Sequence, residues 1–201
     1  MEGDKQFILG QWTTLELEYL KDNDWIWTEK VDGTNIRIMW DGKGVRLGGR
    51  SDDAQLYAPL VERLNELFNT PTKKLLFEEK FGIEEDTQVT LYGEGYGARI
   101  QKGGGNYNAD GVDFVMFDVR VGDIYLKKED VKEIANAFGV DVVPIVGHGT
   151  LEEAIELVKK GFKSKWGDFI AEGIVARPRV ELRTRMGERI ITKVKHKDFI
   201  K

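Results

Sequence analysis

The chain has 201 residues, 41% of them hydrophobic, with no cysteine and a net charge of −5. That length suits one domain, or one and a small appendage, with a real core; the lack of cysteine excludes disulfides, thiol nucleophiles and cysteine-based zinc sites, and fits a cytoplasmic protein. No run of about 18 apolar residues occurs, so no membrane span is expected.

Met1-Glu2-Gly3-Asp4 has neither the basic start nor the apolar stretch of a signal peptide. Leu15 to Leu20 is short and reads equally as strand or helix. Trp25-Ile26-Trp27-Thr28 is rich in β formers, and Ile36-Arg37-Ile38-Met39-Trp40 alternates ahead of Asp41-Gly42, a strong hairpin-turn pair. Between them lies Glu29-Lys30-Val31-Asp32-Gly33-Thr34-Asn35. This places Lys30 at a strand end before a tight glycine turn, where Gly33 lets backbone and ligand approach closely. A solvated lysine beside a turn is the plain alternative. The return strand is Val45-Arg46-Leu47, ending at Gly48-Gly49-Arg50-Ser51. An arginine beside a glycine pair can approach a phosphate or ribose, or be ordinary surface.

Residues 54–69 read as an amphipathic helix, with Leu56, Leu60, Leu64, Leu67 and Phe68 at helical spacing. Lys73 to Phe81 is a further strand or short helix. Glu84-Glu85-Asp86 reads as a solvated acidic turn rather than a metal site. Val89 to Tyr92 is a strand running into a glycine-rich turn, Gly93-Glu94-Gly95-Tyr96-Gly97. Gln101 to Asn106 reads as a flexible loop, either a plain linker or one that orders on nucleic acid. No G-x-x-x-x-G-K-[ST] occurs, which argues against kinase-type or ATPase-type phosphate binding.

Val112 to Val119 is a β-rich run in which alternation puts Phe114 and Phe117 on opposite faces. Gly122-Asp123 makes a hairpin turn. Residues 127–138 form a helix stopped by Gly139, Val140 to Val146 a buried strand, and Thr150-Leu151-Glu152-Glu153 a capping box opening a helix to about Phe162. Glu172 lies mid-strand in Ile170 to Pro178. Lys193 and Lys195 share one strand face about 6.5 to 7 Å apart. Two like charges there repel unless an anion lies between them, which favours a phosphate partner over a merely basic tail. The charge distribution agrees: residues 1–100 carry −7 and residues 101–201 carry +2, while residues 177–201 alone hold nine basic and three acidic residues, net +6.

Taken in order, these stretches resemble the motifs of the covalent nucleotidyltransferases: DNA ligases, RNA ligases and mRNA capping enzymes. Lys30-Val31-Asp32-Gly33 is similar to motif I, and Gly33-Thr34-Asn35 to the G-T-N of RNA ligases of the phage T4 RNA ligase 2 type. Arg50 is similar to motif Ia, Glu94 to motif III, Phe117-Asp118 to motif IIIa, Glu172-Gly173-Ile174-Val175 to motif IV, and Lys193-x-Lys195 to motif V. The resemblance covers Lys30 to Lys195, nearly the whole chain. It implies an α+β nucleotidyltransferase fold (the DNA ligase adenylation domain, ATP-grasp-like) of antiparallel sheets flanked by helices.

The activity the resemblance implies is ATP-dependent polynucleotide ligation, with RNA the favoured strand. Lys30 takes AMP from ATP, passes it to a 5′-phosphate end, and a 3′-hydroxyl then seals the strand. Lys193 and Lys195 act with Lys30. Glu29, Asn35, Arg50, Glu94 and Phe117 hold the nucleotide, with Glu94 on the ribose hydroxyls and Phe117 stacked on the purine. Glu172 and Asp32 hold Mg²⁺ or Mn²⁺. T4 RNA ligase 2 has histidine at the Asp32 position, whereas DNA ligases carry aspartate. Attack needs a neutral amine, whose cost for a free lysine at pH 7 is roughly 4.6 kcal/mol; neighbouring cations reduce it.

The expected partners are RNA ends, either of single strands or of a nick in an RNA or RNA/DNA duplex, with no membrane and a monomeric protein. The setting is the cytoplasm of a bacterium or of a phage-infected host. Residues 1–201 are expected to be a single adenylyltransferase domain without the OB domain or small helical C-terminal domain found in relatives. A DNA ligase core, a guanylyltransferase-like enzyme and a non-catalytic nucleic-acid-binding module are the alternatives.

Overall fold

The computed structural model describes residues 8–84 and 88–200. The first four residues, and Glu85 and Asp86 of the acidic cluster, lie outside the described residues. The elements in chain order are α1 (Leu15–Leu20), β1 (Trp25–Glu29), β2 (Thr34–Trp40), β3 (Val45–Gly48), α2 (Ala58–Phe68), α3 (Pro71–Phe81), β4 (Val89–Gly97), β5 (Val112–Val121), β6 (Ile124–Tyr125), α4 (Lys128–Phe138), β7 (Asp141–Val142), β8 (Ile145–Gly149), α5 (Leu151–Lys160), β9 (Gly173–Pro178) and β10 (Thr192–Lys195). They form two compact units. The first combines Met1–Val31 with Pro144–Lys201; the second is the continuous segment Asp32–Val143.

The first unit is built on an antiparallel sheet of order β10-β9-β1-β8. Alternation along β1 sends Trp25 and Trp27 into one core with Ile174 and Ala176 of β9 and Val194 of β10. Leu17 of α1 and Leu151, Ala154 and Val158 of α5 close that core. The ambiguous stretch at Leu15 is a helix because Thr14 caps it, its Oγ1 accepting from the Leu17 amide at 3.3 Å. The expected capping box is present at Thr150 and Glu153 and opens α5.

The second unit carries a sheet of order β3-β2-β4-β5-β6, with β7 added parallel to β5. Ile36, Ile38 and Trp40 of β2, Leu91 of β4 and Phe114 and Met116 of β5 face a core closed by α2, α3 and α4. Trp40 stacks on Phe77 at 5.2 Å and Phe68 meets Phe114 edge-on at 5.3 Å, both favourable ring arrangements. Helix α2 begins at Ala58, with Pro59 in its first turn, so Leu56 precedes it. The Lys73 to Phe81 stretch is helical, opened by Thr70, whose Oγ1 accepts from the Lys73 amide.

Three expectations need correction. The run Val140 to Val146 is two strands rather than one, β7 in the second unit's sheet and β8 in the first's, broken at Pro144, which has no N–H for a ladder. The glycine-rich stretch after Tyr92 is not a turn: β4 continues to Gly97. A β-carbon at Gly93 would stand 2.2 Å from the Phe114 ring, and one at Gly95 2.5 Å from Leu60, so these glycines make room for core side chains. Finally, Glu172 is not mid-strand but immediately precedes β9.

Candidate active site

Lys30 follows the last residue of β1, and its amide donates to the Gly173 carbonyl at 2.9 Å. On the other side of β9, Lys195 pairs with Gly173. Three neighbouring backbones thus bring Lys30, Glu172 and Lys195 together. Lys30 Nζ donates to Glu172 Oε2 at 2.6 Å, and Lys195 Nζ lies 2.9 Å from Glu172 Oε1. The side chains are 17%, 15% and 33% exposed respectively, so Lys30 and Glu172 are equally sheltered and Lys195 is the more open of the three. Glu172 thus joins Lys195 to Lys30, a pair different from the Lys193 and Lys195 that spacing groups. Lys193 is exposed and forms no ion pair among the described residues.

Glu29 is only 1% exposed. Its Oε1 accepts from Ser164 Oγ at 2.5 Å and its Oε2 from the Lys165 amide at 2.8 Å. Trp166 donates its amide to Ser164 Oγ at 3.0 Å. A buried carboxylate satisfied by two donors holds the 164–166 loop beside the lysine strand, because losing either donor would leave a buried charge short of partners.

The second unit holds the remaining candidates. Asn35 of β2 lies directly opposite Glu94 of β4, on the sheet face away from Ile36 and Ile38. Phe117 is the extra residue where β5 shifts register against Tyr92 and Gly93; it is half-buried, while Phe114 is in the core, as alternation requires. Arg50 is exposed and has no hydrogen-bond partner among the described residues. Its glycine loop is fixed by Arg37, which donates to the Gly49 carbonyl at 2.7 Å and to Asp52 at 2.8 Å. The Asp32 amide donates to the Tyr107 hydroxyl at 3.3 Å, and a β-carbon on Gly103 would stand 2.8 Å from Asp32 Oδ2. The 101–106 loop touches Asp32 at Gly103 and makes a 3₁₀ turn at Gly104–Asn106, with Gly104 buried and Gln101, Lys102, Gly105 and Asn106 exposed.

No group of three or more His, Cys, Asp or Glu side chains among the described residues is arranged to hold a metal. Both oxygens of Glu172 already hold ammonium groups.

The sequence profile of the RNA ligase family matches residues 23–195. The chain belongs to the RNA ligase family. Among solved structures it is similar to a Naegleria gruberi RNA ligase with pyrophosphate, at 21% identity and TM-score 0.65, covering 90% of this chain and 51% of that one. A lysine-to-alanine variant of that ligase with ATP and manganese gives 21% identity and TM-score 0.65, covering 91% and 54%. A lysine-to-methionine variant with AMP and manganese gives 18% and 0.63, covering 90% and 52%. This RNA ligase family member thus spans about half the length of the solved relatives it matches, and shares their α+β fold of antiparallel sheets flanked by helices. No curated protein matches the chain.

Three residues of this family member that support the candidate site carried no signal of that role in the sequence. Ser164 and Tyr107 act only through partners distant in sequence, and Gly173 reads as a motif letter until its crowding is seen. A β-carbon there would stand 2.0 Å from the Val194 carbonyl oxygen.

Proposed function

We propose that this chain is the adenylyl-transferring part of an ATP-dependent RNA ligase, its two units acting as one adenylyltransferase domain on RNA 3′-hydroxyl and 5′-phosphate ends. The observation that supports it best is the Lys30–Glu172–Lys195 cluster: a nucleophile candidate and a second cation held on the two oxygens of one carboxylate.

Lys30 Nζ attacks the α-phosphorus of ATP, forming the N–P bond as the bond to pyrophosphate breaks. Before attack Lys30 passes one proton to Glu172, the acceptor at 2.6 Å, which leaves the neutral amine; the second proton leaves Nζ to solvent as the N–P bond forms. Positive charge around the triphosphate favours the first transfer, because cations disfavour an adjacent ammonium. Lys195 and the exposed Lys193 supply it, and both then stabilise charge on the transferred phosphate.

Mg²⁺ or Mn²⁺, when bound, neutralises phosphate charge; Glu172 and Asp32 are the side chains that would face it. Asn35, Arg50, Glu94 and Phe117 hold the nucleotide, Glu94 through the ribose and Phe117 through the base, with Glu29 beside the lysine. The adenylyl group then moves to a 5′-phosphate, and attack by a 3′-hydroxyl releases AMP and joins the strand.

The test is incubation with ATP labelled at the α-phosphate, with Mg²⁺, followed by denaturing electrophoresis. Label is expected on the wild type and absent from Lys30→Ala. Label on the variant would remove Lys30 from the role, and stronger labelling by GTP would move the chain to the guanylyltransferases. A pre-adenylylated strand offered with RNA or DNA at the 3′-hydroxyl side decides the strand preference, with RNA expected.

A further inference from the structure

The segment joining β9 to β10 is not a slack connection. Residues 182–190 form a small antiparallel arm in which Arg183 bridges to Arg189 and the Ile190 amide donates to the Leu182 carbonyl at 3.0 Å. Its turn is closed by Thr184, whose amide donates to the Glu188 carbonyl at 2.8 Å and whose Oγ1 accepts from the Met186 and Glu188 amides at 3.2 Å each. Gly187, with φ 83°, completes the turn.

The base of the arm is anchored twice. Ile190 is buried, and Leu182 packs against the same core. Glu181 holds Arg189 bidentately at 2.5 and 2.9 Å, with Arg177 at 4.0 Å from the same carboxylate. Both guanidinium side chains are 13% exposed, which makes this a sheltered clamp.

The tip is the opposite. Met186 is 89% exposed, and Arg185 beside it is exposed with no ion pair among the described residues. A rigid base carrying an unspent guanidinium and an uncovered thioether is pre-organised to grip something anionic and flat-faced. RNA offers both features: phosphates for arginine, and base faces against which apolar side chains such as methionine pack. Beyond the arm Lys193 and Lys197 are exposed, against the exposed acids Glu188 of the turn and Asp198, so with Arg185 these exposed basic side chains outnumber the acidic ones by one.

We propose that this arm holds the RNA strand leading to the reacting end, with Arg185 on a phosphate and Met186 against a base. The inference rests on the reading of the chain as a ligase of RNA ends. Its reach follows from chain length: Lys195 is nine peptide steps from Met186, at most about 30 Å of extended backbone. A stacked strand advances about 3.4 Å per nucleotide, so the contact lies within ~9 nucleotides of the end at Lys195.

The experiment measures the affinity of wild type, Arg185→Glu, Arg185→Ala and Met186→Ala for fluorescein-labelled, 5′-phosphorylated RNA by anisotropy across a salt series. The strand is about 12 nucleotides long, beyond the reach limit, so it spans the arm wherever along that reach the contact falls. Arg185→Glu is expected to weaken binding about 5- to 10-fold and Arg185→Ala about 3-fold, with the salt slope reduced by about one. Met186→Ala should lose about 3-fold without changing the slope.

Unchanged binding in the Arg185 variants, or a loss there with an unchanged salt slope, would overturn the assignment. Labelling of Lys30 by ATP, which needs no RNA, is followed in parallel. If the wild type does not label yet the loss is seen, the ligase reading fails and the arm survives as an RNA contact. If labelling is normal and binding is unchanged, the arm fails alone. Thermal unfolding of each variant checks the fold, and Arg185→Ala gives the same readout without a new carboxylate.

Discussion

A β-carbon at Gly173 would stand 2.0 Å from the Val194 carbonyl oxygen and 2.8 Å from Lys195 Cα, contacts that only backbone movement relieves. Gly173→Ala is therefore expected to push β10 away from β9, lowering stability by about 3 kcal/mol in urea denaturation. Labelling of Lys30 by ATP is expected to fall further than the unfolded fraction explains, because Glu172 and Lys195 lose their meeting point. Much at this scale was legible beforehand: Lys30 at a strand end, Glu172 beside a glycine, and Phe114 and Phe117 on opposite faces all follow from local pattern. What was not legible was pairing. Spacing groups Lys195 with Lys193, two positions away, whereas the fold groups it with Lys30 through a carboxylate more than twenty residues upstream.

At the scale of single elements, helix α5 is opened by a reciprocal cap in which Thr150 Oγ1 accepts from the Glu153 amide and Glu153 accepts from the Thr150 amide. Thr150→Ala removes one half and is expected to cost about 1 kcal/mol by chemical denaturation. The Thr150 amide first, and then its hydroxyl at 3.1 Å, hold the Glu153 carboxyl below its ordinary value. A depressed carboxylate stabilises the fold above its unfolded-state value and loses that contribution as pH falls through the folded one. The variant keeps the amide donor and loses the hydroxyl, so the gap between wild type and variant should narrow in acid by the hydroxyl's share alone.

This cap could be read from four letters because all its partners are within one turn. The break at Pro144 was harder, since Val140 to Val146 is continuously apolar and only the sheet membership of each half separates them. Gly93 and Gly95 misled for a related reason: a glycine that clears space for a distant Phe114 or Leu60 looks, in sequence, like one that bends the chain.

For the whole molecule, the second unit is one unbroken segment with its own core of strand and helix residues. A protein consisting of residues 32–143 alone is expected to unfold cooperatively in urea, with matching fluorescence and circular dichroism transitions. Non-coincident transitions would mean that the segment lacks independent stability. The first unit has no such autonomy, because β1 pairs with β8 and β9, which come after the whole of the inserted segment. During synthesis at about 5 to 20 residues per second, Trp27 waits for Gly147 across some 120 residues, roughly 6 to 24 s. For that interval the tryptophan-rich strand that will present Lys30 lacks both its neighbours, a window in which a holdase would find its target.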